Sequence, residues 1–582
     1  MKALFQYFRG YTKECILGPL FKLLEASFEL LVPLVVVQII DVGIAQKNQS
    51  YIVKMCLIMV ALGLIGLTCS LTAQFFSAKA AVGFAARVKQ ALFHHIQGLS
   101  YSEIDTLGTS TMITRLTSDI NQLQSGVNLT LRLFLRSPFI VFGAMLMAFT
   151  INVKAAVVFV VVIPLLSLVV YGIMLLTIPM YRKVQNALDH VLSKTRANLT
   201  GVRVIRAFAK EEEEISSFRT ANRELVNMQT AVGNISALMN PLTFAIINIG
   251  IIWLVYRGAI QVDAGIITQG EVVALVNYMS QILVELIKLA NLIVTITKAM
   301  ACAGRISGVL ALESSMEEGT YEGGSVPERD VPVVELQHVS IKYRNASEES
   351  LQDITLKVSK GSVVGIIGGT GSGKTTLVHL IPRFYDVTKG AVLVDGVNVK
   401  EYRYQALREK IGIVPQKSVL FSGTIRKNMQ WGKKDATDEE IWKALEIAQA
   451  KEFVLQKDGG LDAQVAQGGK NFSGGQRQRL AIARAIVKQP EILILDDSAS
   501  ALDYATDAAL RKAIREMENA PTLFIVSQRT ASMMHADQIL VLEDGQPAGL
   551  GTHEELLGSC EVYREIYESQ FKQEVKGGVP NA

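Results

Sequence analysis

The chain has 582 residues, which is long enough for two or more separately packed domains. Its formal net charge of +4, from 58 basic and 54 acidic residues, is too small to favour binding to nucleic acid. The five cysteines are scattered without a C-x-x-C spacing, which argues against a disulfide framework or a thiolate metal site.

Hydrophobic residues make up 49% of the chain and are concentrated in long apolar runs in its first half. A bilayer core about 30 Å thick requires roughly 20 mostly apolar residues per helix. Six segments satisfy this requirement, at residues of about 16–45, 51–80, 128–152, 155–180, 238–261 and 271–297. We therefore predict an α-helical membrane domain over residues 1–313, with its third and fourth segments joined as a hairpin through residues 151–154.

Basic residues are concentrated in two long loops, 81–127 and 181–237, whereas the short loops between the apolar segments contain only Lys47 and Lys154. The rule that cytoplasmic loops are rich in Lys and Arg then places both long loops and both termini in the cytoplasm of a plasma-membrane protein. The long loops contain no proline, and their apolar residues recur at helical spacing. We expect them to extend the membrane helices by about 25 residues, or about 35 Å.

Charged residues in or near the apolar segments are Glu25, Glu29, Arg132, Arg136, Glu285 and Lys288. Charges at bilayer depth are costly and usually face a wet cavity or a partner. Three alternatives remain open for them: they line a substrate cavity, they snorkel to the membrane interface, or they form ion pairs between subunits. Their positions in the sequence identify no substrate.

The sequence of the second half of the chain predicts a linker followed by an α/β domain. Residues 314–330 are rich in Glu, Gly and Ser, as is typical of a linker, and the domain follows at 331–582. Segments 333–342 and 351–358 alternate like strands. The continuous apolar run at 363–367 predicts a buried strand.

This buried strand leads into a sequence of the form G-x-x-x-x-G-K-[ST], made of Gly368, Gly369, Thr370, Gly371, Ser372, Gly373, Lys374, Thr375 and Thr376. Glycines in such a loop let backbone N–H groups converge on phosphate oxygens, and the following helix adds partial positive charge. We expect Lys374 to contact the β- and γ-phosphates of ATP and Thr375 to place its hydroxyl on Mg²⁺. A second strand is expected at 491–496, where the apolar residues 492–495 lead to Asp496, whose carboxylate is expected to hold the same Mg²⁺.

The sequence Asn-Phe-Ser-Gly-Gly-Gln-Arg-Gln-Arg lies at residues 471–479, between these two segments. Its Ser473, Gly474, Gly475 and Gln476 resemble the signature motif of ATP-binding-cassette (ABC) proteins, which closes over ATP held by a second subunit. With the six apolar segments, the resemblance to the exporter type of ABC half-transporter covers nearly the whole chain. It implies a membrane α-helical domain of six helices with long cytoplasmic extensions, followed by an α/β P-loop ATPase domain.

The resemblance also implies roles for other residues. Tyr343 takes the place of the aromatic residue that stacks on adenine, with a surface tyrosine after a strand as the alternative. Gln416 takes the place of the glutamine that senses Mg²⁺. The loop that crosses between paired sites corresponds to Ser500, Ala501, Leu502 and Asp503. Segments near 101–107 and 201–208 resemble coupling helices that dock on a nucleotide-binding domain, with an ordinary helical hairpin as the alternative.

The chain departs from the family pattern at the expected catalytic positions. Where the family has a glutamate that polarises the attacking water, this chain has Asp497, whose carboxylate stands about 1.5 Å further back. Misplacement on that scale can cost about a hundredfold in rate. Where the family has a histidine that contacts the γ-phosphate, this chain has Gln528, whose amide cannot shuttle a proton. Residues 463–468 also lack the glutamate of the loop common in exporters.

These departures predict a subunit whose own ATP site is slow and whose intact signature serves a partner. The expected partner is a second ABC half-transporter with Glu and His at its catalytic site, as in the heterodimeric multidrug exporters that the chain resembles. We expect amphipathic small molecules as the substrates and ATP with Mg²⁺ as the cofactors. The membrane domain is expected to contact membrane lipids. The alternatives are a homodimeric lipid or peptide exporter and a largely regulatory ATP-binding subunit.

Overall fold

A computed structural model gives the structure of the protein and describes residues 2–324, 331–344, 346–498 and 502–576. The chain divides into two compact units. The first unit contains residues 1–97 and 108–312, and the second contains residues 98–107 and 313–582. The sequence analysis assigned residues 98–107 to the membrane domain, whereas in the structure they cluster with the second unit.

The helices up to residue 312 are α1 Thr12–Gln38, α2 Gln49–Gln97, α3 Tyr101–Leu107, α4 Thr109–Thr114, α5 Ile120–Leu133, α6 Arg136–Ile151, α7 Val153–Thr200, α8 Val202–Ala207, α9 Glu211–Ala237, α10 Met239–Asp263 and α11 Gln269–Leu310. Of these, only α3 belongs to the second unit. A short 3₁₀ helix, Lys2–Phe8, precedes α1, and two π-helical segments, Ile39–Ile44 and Arg115–Asp119, follow α1 and α4.

Six helical stretches among the described residues are long and apolar enough to cross a membrane: Thr12–Ile44, Gln49–Gln97, Thr109–Ile151, Val153–Thr200, Glu211–Asp263 and Gln269–Leu310. The predicted number of membrane helices is therefore confirmed. The proline-free long loops are helical, as expected: α2 continues to Gln97, α7 to Thr200, and α9 leads into α10. Proline inside a helix removes a hydrogen bond and strains the backbone, so its absence from these loops is compatible with long helices.

The turns between membrane helices have local causes in the sequence. In the predicted hairpin between the third and fourth segments, the connection consists of Asn152 alone. The Asn152 side chain accepts a hydrogen bond from the Ala155 N–H at 3.0 Å and caps α7. The third segment, predicted as one helix over 128–152, is interrupted between Leu133 and Arg136. Pro138 has no N–H to donate to a carbonyl four residues earlier, which weakens the helix at this point.

The strands of the second unit are β1 Val334–Ile341, β2 Leu351–Val358, β3 Val363–Gly368, β4 Lys389–Val394, β5 Val397–Asn398, β6 Ile411–Val414, β7 Gly423–Thr424, β8 Gln464–Val465, β9 Ile492–Asp496, β10 Thr522–Val526, β11 Gln538–Glu543 and β12 Gln546–Gly551. Its remaining helices are α12 Lys374–Leu380, α13 Tyr404–Lys410, α14 Ile425–Gln430, α15 Asp438–Ile447, α16 Lys451–Leu455, α17 Gly474–Ile486, α18 Tyr504–Arg515, α19 His553–Ser559 and α20 Glu561–Lys576.

The larger sheet of this unit has the strand order β12-β11-β3-β10-β9-β6, and all pairs except β11 with β12 are parallel. A second, antiparallel sheet has the order β2-β1-β4-β5. The strand β9 shows why its sequence is a continuous apolar run: Ile492 and Ile494 pack in one buried cluster, and Leu493 and Leu495 pack in another. Successive side chains of a strand point to opposite faces, and here both faces are covered.

Helix α3, which the sequence analysis expected as the first coupling element, has its own contacts within the second unit. The ring of Tyr101 lies 4.7 Å from that of Phe384, and Asp105 accepts a hydrogen bond from the Tyr385 hydroxyl at 2.6 Å. Glu103 is 2% exposed and lies 3.7 Å from the Arg344 guanidinium. These contacts cover an aromatic face of the unit beside Tyr343, because Tyr385 also packs edge-on against the Tyr343 ring.

Candidate ATP site and signature face

The phosphate loop connects β3 with α12 at the carboxyl edge of the parallel sheet, where ligands of open α/β sheets bind. At Gly373 the backbone has φ +91°, and a Cβ there would approach the Ser350 carbonyl oxygen to 2.7 Å. At Gly368 a Cβ would lie 2.1 Å from the Leu542 carbonyl oxygen. Only glycine fits at these two positions, which explains the glycine spacing in terms of backbone approach.

Lys374 is the first residue of α12, so its ammonium group lies at the positive end of a helix beside the loop. Its Nζ donates hydrogen bonds to the Gly368 carbonyl oxygen at 2.9 Å and to the Ser372 hydroxyl at 3.3 Å. Burial lowers the pKa of the Lys374 ammonium, and the carboxylates of Asp497 and Asp496 oppose that shift. The loop therefore holds a cation where phosphate oxygens are expected.

Asp496 ends β9 and is 1% exposed, and its Oδ1 accepts a hydrogen bond from the Thr375 hydroxyl at 3.0 Å. Burial raises the pKa of the Asp496 carboxyl, as does the charge of Asp497, while the Thr375 hydrogen bond opposes the rise. No group of three His, Cys, Asp or Glu side chains that could hold a metal ion occurs among the described residues. Mg²⁺ usually takes one or two carboxylates together with phosphate oxygens and water, so the Asp496–Thr375 pair fits this ion.

Asp497 follows β9 directly, with a left-handed backbone at φ +47°. Its N–H donates to the Val526 carbonyl oxygen at 2.9 Å, and its Oδ2 accepts a hydrogen bond from the Gln416 side-chain amide at 3.2 Å. Aspartate tolerates left-handed backbone better than most residues other than glycine and asparagine. The short side chain therefore fits the local backbone and lies within hydrogen-bonding distance of Gln416.

Gln528 follows β10, and its side chain is exposed at the mouth of the same cavity. Its backbone carbonyl accepts a hydrogen bond from the side-chain amide of Gln570 at 2.7 Å. The cavity has a volume of about 260 Å³. Its lining consists of Ser350, Thr370, Gly371, Gly373, Lys374, Thr375, Thr376, Gln416, Asp496, Asp497, Val526, Ser527 and Gln528.

Tyr343, expected to stack on adenine, is half-buried and does not line this cavity. Its hydroxyl donates to the Thr376 hydroxyl at 3.1 Å, and its ring lies 5.0 Å from that of Tyr385 at 88° between planes. Tyr343 thus contacts Thr376, the last residue of the phosphate-loop sequence. Its edge-on packing against Tyr385 occupies one side of the ring in this structure.

The signature motif lies at the N-terminus of α17, and we call residues 473–476 the signature face. The Ser473 hydroxyl accepts a hydrogen bond from the Gln476 N–H at 3.3 Å, and the Gln476 side chain accepts one from the Ser473 N–H at 3.1 Å. This reciprocal pair is a capping box that fixes the start of the helix. Ser473 and Gly474 are exposed, and no atom lies within 4 Å of a Cβ built on Gly474.

No residue of the signature face lines the chain's own cavity. The neighbouring residue Asn471 bridges to the segment 463–468, because its amide donates to the Gln464 carbonyl oxygen at 2.8 Å and accepts from the Ala466 N–H at 2.9 Å. Of the expected crossing loop, Ser500 and Ala501 lie outside the described residues. Leu502 is buried, and Asp503 caps α18 by accepting a hydrogen bond from the Thr506 N–H at 2.8 Å.

The structure adds residues that the motifs did not include. Ser350 and Ser527 line the cavity, and His379 lies 4.0 Å from the Asp496 carboxylate. A sequence signal existed for Ser527, because it directly precedes Gln528, which the sequence analysis had assigned to the site. Ser350 and Gln570 belong to no recognisable motif, and their positions depend on tertiary packing.

The charged residues of the membrane unit form ion pairs within the chain. Arg136 is 7% exposed and contacts Glu285 at 2.6 Å and Glu29 at 2.7 Å. Lys288 adds a contact to Glu285 at 2.8 Å. Pairing within the chain was not among the three alternatives drawn from the sequence, because Arg136 and Glu285 are far apart along the chain. Burial of these charges is tolerated because they are paired with one another.

The remaining charges near the apolar segments also have partners within the chain. Glu25 pairs with Lys22 at 2.5 Å, although the sequence places Glu25 on the same helix face as Glu29. Arg132 donates a hydrogen bond to the Gln74 side chain at 3.2 Å.

Comparison with known proteins gives matches along nearly the whole chain. A family model described as the ABC transporter transmembrane region matches residues 15–286, and one described as ABC transporter matches residues 351–500. A Mycobacterium tuberculosis protein, the uncharacterized ABC transporter ATP-binding protein MT1311, is 37% identical over 578 residues, which cover 99% of both chains.

Relatives with functional names are more distant. The Bacillus subtilis protein YgaD, whose name assigns it provisionally to multidrug export, is 32% identical over 98% of both chains. An ATP-dependent lipid A-core flippase of Photorhabdus laumondii is 27% identical over 95% of this chain and 94% of its own. A solved structure of a bacterial Atm1-family ABC exporter with ATP bound shares the fold, with a TM-score of 0.78, 22% identity and coverage of 96% of this chain and 98% of that one.

These matches explain why a phosphate-loop cavity, an outward signature face and six membrane-length helices occur in one polypeptide. The chain therefore belongs to the ABC transporter family, as an exporter half-transporter in which one multi-pass membrane polypeptide carries both the transmembrane region and the ATP-hydrolysing domain.

Proposed function

We propose that this chain is one subunit of a heterodimeric ATP-driven exporter, in which its own ATP site turns over slowly and its signature face completes a faster site on its partner. The observation that carries the proposal is the short carboxylate of Asp497, which contacts Gln416 at 3.2 Å at the position of the expected base. The second departure, Gln528, lines the same cavity. Two changes in one cavity support a slow site better than either change alone.

The slow rate has a geometric cause. A base must lie within hydrogen-bonding reach of the water it polarises, and a setback of about 1 Å can cost about a hundredfold in rate. Asp497 also accepts a hydrogen bond from Gln416. In addition, the Gln528 amide can donate a hydrogen bond to a γ-phosphate but cannot exchange a proton near neutral pH.

The nucleotide itself would be bound by groups that fit its charge. Lys374 and the N-terminus of α12 would bind the β- and γ-phosphates, and Asp496 and Thr375, with Gln416 nearby, would hold Mg²⁺. When bound, Mg²⁺ neutralises charge on the phosphate oxygens. Because ATP is cytosolic, the second unit and both termini would lie in the cytoplasm, in agreement with the basic residues of the long loops.

A dimeric arrangement is supported by two exposed features of the single chain. No residue of the signature face lines the chain's own cavity, although a helix N-terminus with an exposed glycine, Gly474, is suited to bind phosphate. Helix α8, at the tip of the α7–α9 hairpin, exposes 60% of Val204 and is followed by Phe208, which is 73% exposed. Apolar residues exposed at such a tip are typical of a docking surface, and the expected second coupling helix occupies this position.

Amphipathic compounds are the substrates that we propose. A cavity of about 390 Å³ in the membrane unit combines aliphatic groups with Glu29, Asn277, Gln281 and Lys288. Such a lining suits molecules with both an apolar and a polar part. The provisional multidrug assignment of YgaD agrees with this class, whereas the flippase relationship favours lipid export as the second candidate.

The test begins with the tagged chain purified from its native membrane. We expect a second half-transporter to copurify and the two-chain complex to release phosphate, whereas the chain isolated alone should release little. The double substitution Asp497→Glu with Gln528→His should raise phosphate release by the chain alone by about a hundredfold, since it restores the reach of the base.

Matched controls for this experiment are Asp458→Glu and Gln456→His, which make the same chemical changes at exposed positions. Neither control should raise the rate. Vigorous phosphate release by the unmodified chain on its own, without a second polypeptide, would overturn the asymmetric heterodimer and support an active homodimer.

A further inference from the structure

The side chain of Gln570, on the C-terminal helix α20, contacts the loop that carries Gln528. The Gln570 Nε2 donates a hydrogen bond to the Gln528 carbonyl oxygen at 2.7 Å. Its Oε1 accepts two hydrogen bonds, from the Thr530 N–H and from the Thr530 hydroxyl, each at 2.9 Å. One amide thus binds the loop on both sides of Arg529.

The hydrogen-bonding pattern fixes the orientation of this amide. If the Gln570 amide were reversed, its NH₂ group would face the Thr530 N–H donor and its oxygen would face the Gln528 carbonyl oxygen. Both contacts would be repulsive. The Gln570 oxygen accepts two hydrogen bonds and thus uses both of its lone pairs, and Thr530 itself is fully buried at 0% exposure. The arrangement is therefore specific for a side chain that presents a donor and an acceptor together.

Helix α20 is packed against the core, so the position of Gln570 is set by the helix and not by the loop. Tyr563 on the same helix is 0% exposed, and its hydroxyl lies 2.7 Å from the His553 Nδ1. Ile566 packs against the buried cluster beneath the larger sheet. Residues 563, 566 and 570 have the i, i+3, i+7 spacing of one helix face. A side chain on a fixed helix thereby sets the position of a loop at the cavity.

The hydrogen bonds of Gln570 restrain the backbone next to Gln528. The Gln528 carbonyl and the Thr530 N–H flank Arg529, whose backbone has φ −93° and ψ 116°. With both flanking peptide groups bound, rotation about the Arg529 backbone would break their hydrogen bonds to Gln570. The Gln528 side chain is exposed, but the backbone that carries it is held in a defined position.

We propose that Gln570 is a positioning residue that fixes Gln528 for contact with the γ-phosphate, so that the C-terminal helix sets how well the cavity distinguishes ATP from ADP. The inference rests on the proposed function in taking Gln528 as the residue that faces the γ-phosphate. ADP lacks that phosphate, so loss of this restraint should weaken ATP binding and leave ADP binding unchanged. A purely structural role in folding would weaken both nucleotides alike.

The test compares Gln570→Ala and Gln570→Glu with Ser569→Ala in the full chain. Ser569 is the adjacent residue, is exposed, and donates a hydrogen bond to the Ile566 carbonyl oxygen within its own helix. The first readout is the ratio of ATP to ADP affinity. We expect Gln570→Ala to lower this ratio by about three- to tenfold, the range of one hydrogen bond, and Ser569→Ala to leave it unchanged.

A second readout is amide hydrogen exchange of residues 526–531 without nucleotide, which is independent of activity. Gln570→Ala should speed exchange at the Thr530 N–H, because its acceptor is lost. Gln570→Glu keeps that acceptor but places a carboxylate against the Gln528 carbonyl oxygen, so it should retain protection at Thr530 and still lower the ATP to ADP ratio. Unchanged exchange in Gln570→Ala would overturn the proposal.

Gln528→Ala serves as the reference for the nucleotide ratio. If Gln528→Ala lowers the ratio and Gln570→Ala does not, the positioning role of Gln570 is wrong while the assignment of Gln528 stands. If neither substitution changes the ratio, both the assignment of Gln528 and the inference built on it fail. Equal losses of ATP and ADP affinity in Gln570→Ala would identify a general folding role instead and would also refute the proposal.

Discussion

Two helix N-termini in the second unit are suited to bind phosphate, and they differ in their surroundings. The N-terminus of α12 lies at a cavity that contains Lys374, Asp496 and Asp497. The N-terminus of α17 carries the signature face, has Ser473 as its cap, and faces outward with no acidic residue in its motif. Both use exposed backbone N–H groups, but only the first lies beside the carboxylates that hydrolysis requires.

The two ends of this domain also differ in how closely they match the family pattern. The α17 end matches the ABC signature at every position from Ser473 to Gln476, whereas the α12 end departs at Asp497 and Gln528. Under the proposed function, the same chain contributes a complete phosphate-binding face to another polypeptide and an incomplete catalytic set to its own nucleotide. Substitutions at the two ends should therefore have unequal effects on the two-chain complex.

The largest effect is expected from Gly474→Asp. A carboxylate at the exposed start of α17 would repel a phosphate bound by the partner, and loss of comparable stabilisation costs about a hundredfold or more in rate. No atom lies within 4 Å of a Cβ at Gly474, so the chain should still fold and bind nucleotide in its own cavity. Phosphate release by the two-chain complex should fall by about that factor, with Gly474→Ala as the uncharged control.

Retention of full activity by Gly474→Asp would contradict the proposed role of the α17 end, because it would mean that this end contacts no nucleotide. Unchanged thermal unfolding of the variant, measured beside the unmodified chain, separates a binding defect from misfolding.

The next largest effect is expected from Lys374→Ala at the α12 end. Removal of the cation should weaken ATP binding by this chain by about 10- to 100-fold, as expected for loss of a hydrogen bond between charged groups. Equilibrium binding of a fluorescent ATP analogue to the isolated chain measures this change. Lys360→Ala, at an exposed turn of the same unit, is the matched control and should bind normally. Equal affinities for the two variants would contradict the assignment of the cavity.

A smaller effect is expected from Asp497→Asn in the two-chain complex. If the partner's site carries most of the turnover, removal of the Asp497 charge should change total phosphate release by less than about twofold, since a carboxylate set back by about 1.5 Å contributes little. Steady-state phosphate release at saturating ATP checks this expectation. A drop of tenfold or more would show that Asp497 acts as an efficient base, and the two ends of the domain would then be functionally equivalent.

Part of the cavity lining at the α12 end could be expected from the sequence because its pattern is local. The glycines of the loop, Lys374 and Thr375 lie in one short stretch of sequence. Asp496 ends a strand whose continuous apolar run indicates that both of its faces are buried. The membrane helices were equally predictable, because length and hydropathy alone define a spanning segment. In these regions local pattern and tertiary structure agree, as expected for a foldable sequence.

The sequence did not predict contacts between residues far apart in the chain. The pairing of Arg136 with Glu285, the hydrogen bond from Gln416 to Asp497, and the contacts of Gln570 all depend on how distant elements pack. Side chains such as these have no fixed spacing from their partners. The segment of α3 was expected to dock on a nucleotide-binding domain, but its individual partners, such as Phe384 for Tyr101, were not predictable because they come together only in the folded unit.

The smallest effect is expected from Ser473→Ala, which separates two roles of the α17 end. Loss of the cap should lower the stability of the second unit by about 1 kcal/mol, or roughly 2–4 °C in its unfolding midpoint. Differential scanning calorimetry checks this shift, with Ser559→Ala as a control, because Ser559 bonds only within its own helix. Ser473→Asp retains a capping acceptor but adds a negative charge, so it should restore the midpoint while phosphate release by the two-chain complex falls as in Gly474→Asp. If Ser473→Asp were fully active, the cap would be the whole role of Ser473, and the phosphate-binding part of the signature face would be limited to its backbone and glycines.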